Sequence, residues 1–330
     1  MKKFSKVLAL VLALLMVFAF TACGSNTSHL VFSTGGTSGV YYTFGGEIAS
    51  LWAGHVESAE VAVESSGGSK DNILALFQED AELAWAQNDV MSYAYDGADF
   101  FDGTVADNFS AIGAIYPEVC QLVVAKDSGI KSVKDLAGKN VSVGPVGSGH
   151  YFNAQQILDI NGMTIDDLKA QFLDNTEIID AFQNKQIDAF FITAAYPHSS
   201  VVDISLKREI DIIGFTDEEI AALQAAHSFY VTDTIPAGTY DGLTEDKLVP
   251  AVSAVLVARD DVSEDVVYEL TKALFENVDE LTNAKKSYIS AENAILGIPT
   301  KAADQESGIT TGSFHPGALK YYKELGIIAD

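Results

Sequence analysis

Leu30-Val31-Phe32-Ser33-Thr34-Gly35-Gly36-Thr37-Ser38-Gly39-Val40-Tyr41-Tyr42 decides the fold class. A short β-rich run, Leu30–Ser33, gives way to a glycine-containing polar loop, and a stretch of helical length, Tyr42–Trp52, follows. The same grammar returns at Asn140–Val143, followed by Gly144-Pro145-Val146-Gly147-Ser148-Gly149-His150-Tyr151 and a helical run, Tyr151–Ile160. Glycine lets the backbone approach a ligand, and a helix N-terminus offers unpaired N–H groups to an anion. Two such loops, each between a strand and a helix, point to an α/β protein that binds a ligand at strand carboxyl ends.

Outward from these loops the alternation continues. Glu60–Glu64, Glu82–Gln87, Lys169–Leu173, Asp188–Ile192 and Ile210–Ile213 read as strands, and Ser69–Gln78 and Glu177–Asn184 as helices, with Ser69 as an N-cap. This predicts α/β lobes with mainly parallel sheets and crossover helices. An internal echo aligns Leu74–Trp85 with Ile179–Phe190, each a helix ending in Phe-Gln, a polar turn and a strand. Duplication and shared βαβ grammar explain it equally well. The segments that follow, Gln87-Asn88 and Thr193-Ala194-Ala195-Tyr196-Pro197, are the first candidates for a site between two lobes.

The 330 residues are 48% apolar, enough for one or two cores, and carry 46 acidic against 20 basic side chains. A formal charge of −26 excludes a nucleic-acid binder, and Arg208 and Arg259 are too few for a guanidinium cluster around a phosphate. Neither glycine loop is a Walker A or dinucleotide loop, and Val146 breaks a G-x-S-x-G elbow at Ser148. Cys23 and Cys120 can form neither a disulfide framework nor a four-ligand zinc site, and Cys120 in Val119–Val124 reads as a buried hydrophobe. The histidines show no H-x-x-x-H pair, and Asp96, Asp99 and Asp102 have the wrong spacing for a calcium loop. The expectation is a protein with no metal, no cofactor and no catalytic residue.

The N-terminus carries an address. Lys2, Lys3 and Lys6 precede an uncharged apolar run, Val7–Phe20, too short to span a bilayer and suited to a secretory signal. Thr21-Ala22-Cys23-Gly24 resembles a bacterial lipoprotein cleavage box, which makes residues 1–22 the signal, Cys23 the lipid-modified first residue and 23–29 a tether.

Gly35-Gly36-Thr37-Ser38-Gly39-Val40-Tyr41-Tyr42 with Gly45-Gly46 strongly resembles the TAXI family, the extracytoplasmic solute receptors of one class of tripartite ATP-independent periplasmic (TRAP) transporters. The likeness continues through Gly68-Ser69-Lys70-Asp71-Asn72, Ala86-Gln87-Asn88-Asp89, Tyr116-Pro117-Glu118, Asp127-Ser128-Gly129-Ile130, Asp135-Leu136-Ala137-Gly138-Lys139 and Gly147-Ser148-Gly149. Ile235-Pro236-Ala237-Gly238-Thr239-Tyr240 and His315-Pro316-Gly317-Ala318 extend it to the C-terminus, and the departure is His150 where the family has threonine.

The resemblance implies a two-lobed type II solute-binding fold: two mixed sheets with flanking helices and a hinge. Lobe 1 would comprise 30–126 plus 250–330, and lobe 2 127–249. It implies capture of a small carboxylate, glutamate or a related acidic metabolite, and delivery to a sodium-coupled TRAP permease, with the membrane touched only through the lipid anchor. The pocket it implies contains Thr37, Gly39, Tyr41, Gln87, Tyr116, Ser148, Gly149 and the Ala194–Tyr196 loop, including Tyr196. Thr37 and Ser148 would bind carboxylate oxygens through hydroxyl and N–H groups, the tyrosines would form walls, and Gln87 would take an amino or second polar group. His150, at the start of a helix, is expected to strengthen anion binding as pH falls through about 6.5. The same lobes would serve an ATP-driven importer or a chemosensor, and an extracellular hydrolase is the alternative of a different class.

Overall fold

A computed structural model describes residues 27–329. The signal segment and Cys23 lie outside the described residues. The strands are β1 (Ser28–Ser33), β2 (Ala59–Glu64), β3 (Leu83–Gln87), β4 (Phe109–Ala125), β5 (Asn140–Ser142), β6 (Lys169–Gln171), β7 (Ala189–Ala194), β8 (Ile210–Ile213), β9 (Val231–Ile235) and β10 (Lys247–Arg259). The first helices are α1 (Val40–His55), α2 (Ser69–Phe77), α3 (Asn88–Asp96), α4 (Gly149–Ile160), α5 (Glu177–Gln183) and α6 (Ser199–Ser205). Then come α7 (Asp217–Ala226), α8 (Glu264–Glu276), α9 (Ala291–Ala294), α10 (Ala302–Glu306) and α11 (Pro316–Glu324).

Hydrogen bonding runs unbroken through one sheet in the order β2-β1-β3-β10-β4-β7-β5-β6, with β8 on β4 and β9 on β10. The β1–β2, β1–β3, β5–β6 and β5–β7 pairs are parallel, as the strand–helix alternation predicts. The sheet as a whole is nevertheless mixed. Every pair that involves β4 or β10 is antiparallel, because these two long strands run across the whole molecule beside one another.

The apolar residues of the long strands serve different cores at their two ends. On β4, residues up to Tyr116 pack with the first half of the molecule, and Val119–Ala125 pack with the second. On β10, Val252 belongs to the second core and Ala254 to the first. The division thus falls at Pro117–Glu118 and at Ser253, and Pro117 and Ser253 are register partners. Pro117 has no N–H to give, and the Ser253 amide turns to Asn88 Oδ1 at 3.0 Å.

The internal echo is real as structure, shifted by one residue. Glu79 and Lys185 both adopt positive φ, and the turns close alike, Asp80 N–H to Ala75 O and Gln186 N–H to Ala181 O, each 2.8 Å. The strands that follow end on Gln87 and on Thr193-Ala194. Ser69 does not cap α2. Gly68 holds the N-cap position at φ 115°, and the Ser69 hydroxyl accepts from the Gln87 amide at 3.2 Å. Cys120 is buried, and burial pushes its thiol far up, away from reactivity.

Candidate functional site

Six helices begin at one place. The N-cap residues of α1 to α6, Gly39, Gly68, Gln87, Ser148, Thr176 and His198, all line a single cavity of about 330 Å³ between the two cores. The cause is topological. Parallel strands with crossover helices place every strand's carboxyl end and the next helix's N-terminus on the same side of the sheet. First-turn amides lack intrahelical partners. Several are met by neighbours here, Tyr151 by Ser148 Oγ, Glu177 by Asp174 Oδ1, Ser200 by His198 Nδ1 and Lys70 by Gly147 O, and only the others can serve a ligand.

The loops are held by buried polar groups. Asn72, fully buried, accepts from the Ser33 and Ser66 hydroxyls at 2.7 and 2.5 Å and donates to the Thr34 and Trp85 carbonyls, both at 2.7 Å. This one side chain ties the ends of β1, β2 and β3 together. On the other wall the Ser148 hydroxyl donates to Pro145 O at 2.7 Å and accepts from the Tyr151 amide at 3.3 Å. That hydroxyl is therefore committed to the loop, and the expected hydroxyl contribution of Ser148 gives way to the helix amides behind it.

The two walls touch. The Lys70 amide donates to Gly147 O at 3.2 Å, and the Ser38 and Thr176 hydroxyls meet at 3.1 Å. Gly149 lies so close to Gln87 that a Cβ there would stand 1.9 Å from Gln87 Oε1. The contact explains why glycine occupies the first position of α4.

Of the residues expected in the pocket, Thr37, Gly39, Tyr41, Gln87, Ser148, Gly149, His150 and Ala194 line the cavity. Tyr116 and Tyr196 do not. The Tyr116 ring packs edge-on to Trp85, its hydroxyl is buried without a partner, and Tyr196 reaches Thr234 O at 3.1 Å. His150 departs from its expected behaviour. Its Nδ1 accepts from the Thr193 amide at 2.8 Å, and burial pushes the imidazole down to about 4. It is neutral near pH 6.5, so the expected gain of affinity through that range has no basis in this geometry.

Several lining residues escape the sequence reading. Asp174-Asn175-Thr176 follows β6 and opens α5, the same strand–turn–helix grammar without glycine. Ser66-Gly67-Gly68-Ser69 plays that part after β2. Glu118 is the least foreseeable. It is 4% exposed, accepts from Tyr41 Oη at 2.9 Å and Gln87 Nε2 at 3.3 Å, and burial pushes its carboxyl up to about 8. Among the described residues, none lining the cavity is Lys or Arg, and no group of His, Cys, Asp and Glu could hold a metal ion. No described helix is long and apolar enough to cross a membrane.

Solved structures resemble this chain to different degrees. A protein from Bordetella bronchiseptica RB50 matches with TM-score 0.54 and 18% identity over 92% of this chain and 91% of that one. The periplasmic aliphatic sulphonate binding protein SsuA from Escherichia coli matches with TM-score 0.45 and 15% identity over 90% and 83%. A putative L-cystine ABC transporter protein from Listeria monocytogenes matches with TM-score 0.48 and 15% identity over 81% and 98%. The sequence pattern of the NMT1-like family spans residues 32–326, nearly the whole described chain, and the protein belongs to that family.

Proposed function

We propose that the protein is an extracytoplasmic receptor that captures a small carboxylate between two lobes and passes it unaltered to a membrane transporter. The observation that carries this reading is the convergence of six helix N-caps on one cavity between two cores. Each N-terminus presents roughly half a positive charge, and with no Lys or Arg among the described lining residues the backbone supplies the anion's counter-charge. A volume of about 330 Å³ suits a metabolite and not a polymer. Thr37 brings a hydroxyl from one side and Gly149 an N–H from the other, so one solute can bridge two lobes hinged at Pro117 and Ser253.

The ordered motifs that resemble the TAXI receptors favour glutamate or a related acid as the ligand and a sodium-coupled TRAP permease as the partner. They also favour lobes of 30–126 with 250–330 and of 127–249, and a lipid on Cys23 as the tether. Native purification followed by denaturation and mass spectrometry of the released small molecule tests the central reading. A carboxylate recovered intact is expected, whereas a ligand without an acidic group, or its conversion to a product, overturns it. Cross-linking in membranes tests the partner: a permease without a nucleotide-binding subunit is expected, and an ATPase in the adduct would make the protein an ATP-driven importer's receptor. The intact mass of the native chain should begin at an acylated Cys23.

A further inference from the structure

β3 ends at Gln87, where the chain leaves the sheet and turns into α3. Its antiparallel pairing with β10 runs from Leu83 opposite Ala258 to Gln87 opposite Ala254, so the next residue of β10, Ser253, falls opposite position 88. The backbone there is already helical, and the Asn88 side chain takes the strand's place. Asn88 Oδ1 accepts from the Ser253 amide at 3.0 Å and from the Asp89 amide at 3.1 Å. Asn88 Nδ2 donates to Gly297 O at 3.1 Å, and the residue is 1% exposed. One buried amide thus joins β10, the first turn of α3 and the segment after α9.

The place of this step in the molecule gives it a consequence. On the other side of β10, Ser253 is the partner of Pro117, which has no N–H to give to the ladder. Ala254 belongs to the first core and Val252 to the second. Without Asn88 the Ser253 amide would be tied to neither neighbouring strand, and the bend in β10 could spread over several residues. With it, β10 belongs to the first half through Ser253, and bending is confined to the Val252 side. We infer that Asn88 is a positioning residue for the hinge: its side chain extends the β3–β10 ladder by one step, fixes where β10 bends, and holds the α3 N-terminus to that point. Gln87, the N-cap of α3, lines the cavity, so the wall of the first half turns as one body with Ser253. This role depends on the two cores and their crossings and not on what the cavity holds, so a ligand of any class leaves it standing.

Two measurements without added ligand test it at pH 5, where a buried carboxyl keeps its proton. Amide hydrogen exchange resolved to single residues by NMR reads the ladder. Spin labels on Glu57→Cys in the first half and Lys134→Cys in the second, both exposed positions, read the distance between the halves. Asn88→Ala should speed exchange of the Ser253 amide at least about tenfold, leave Val255 and Val257 unchanged, and broaden the distribution of distances. Asn88→Asp keeps the acceptor oxygen, and its protonated carboxyl can also donate to Gly297 O. It should restore both the slow exchange and the narrow distribution. Unchanged exchange at Ser253, equal acceleration all along β10, or a distance distribution that Asn88→Ala does not broaden overturns the role of Asn88. Where Asn88→Ala does not fold, the unaltered protein decides: a Ser253 amide protected like that of Val255 supports the role, and one that exchanges like an exposed loop overturns it.

Discussion

Asn72 uses both lone pairs of its oxygen and both protons of its nitrogen inside the first half of the molecule. Replacing it by alanine leaves the buried Ser33 hydroxyl and the Thr34 and Trp85 carbonyls without their partner, and frees the half-buried Ser66 hydroxyl. Each unmet buried group costs about 1–3 kcal/mol. Relaxation recovers part of that, so Asn72→Ala should destabilise the protein by about 3 kcal/mol or more, visible in calorimetry as a Tm lower by about 5–10 °C. An unchanged Tm would show that Asn72 does not organise the loops. His150 is a second residue whose neighbours settle its chemistry. A proton on Nδ1 would break the bond from the Thr193 amide, which is one reason the imidazole stays neutral down to about 4. Its folded-state pKa lies below the ordinary value of about 6.5. Its contribution to stability is therefore complete above that value and is lost as pH falls towards 4. Ligand affinity measured from pH 5.5 to pH 8 should follow parallel curves for the unaltered protein and His150→Thr. Curves that diverge below pH 6.5 would put a charged imidazole beside the ligand.

At the scale of elements, the strand–loop–helix units are legible in the sequence because each is a local pattern: β-rich run, glycine loop, stretch of helical length. β1 with α1 and β5 with α4 follow from that pattern, and their loops do line one cavity. What the pattern lacks is the pair of long strands. In the sequence the stretch around Cys120 reads only as a buried apolar run, since antiparallel pairing of β4 with β10 joins residues well over a hundred positions apart. Glu118 is missed for the same reason. Its role comes from Tyr41 and Gln87, which reach it from two other elements. Tyr116 and Tyr196 do not line the cavity because an aromatic within or just after a strand can face the core as easily as the cleft. The α4 N-terminus supplies an element-scale test. Gly149→Ala would push a methyl group into the Gln87 amide, which is itself bonded to Glu118. The elements can form without this contact, but the two walls cannot come equally close. Ligand affinity is expected to fall at least about tenfold, with the far-UV spectrum and Tm nearly unchanged. A variant that binds normally would show that the walls need not meet there.

For the whole molecule, the decisive question is what holds the two halves together across the cleft. Asp89 on α3, with no exposed surface, accepts from Asn153 Nδ2 on α4 at 2.8 Å. The same amide nitrogen reaches Tyr230 Oη at 2.6 Å, and Gln156 reaches Tyr93 Oη at 2.6 Å. This buried polar seam joins α3 of the first half to α4 and Tyr230 of the second. It leaves Asp89 Oδ1 and Asn153 Oδ1 without partners. A proton on Asp89 removes the charge and provides a donor, and burial pushes its carboxyl up to about 7. The unfolded chain gives that proton up near the ordinary carboxylate value of about 4. The stabilisation from Asp89 is thus fully present below that value and is lost as pH rises through about 7. Asp89→Asn carries the donor at every pH and never the charge. Its Tm should exceed that of the unaltered protein by more at pH 8 than at pH 5. Scattering should show the smaller, closed radius retained at pH 8 by the variant with ligand bound. A Tm difference that is the same at both pH values would mean that Asp89 holds no proton in the closed form, and that the seam closes against a buried charge.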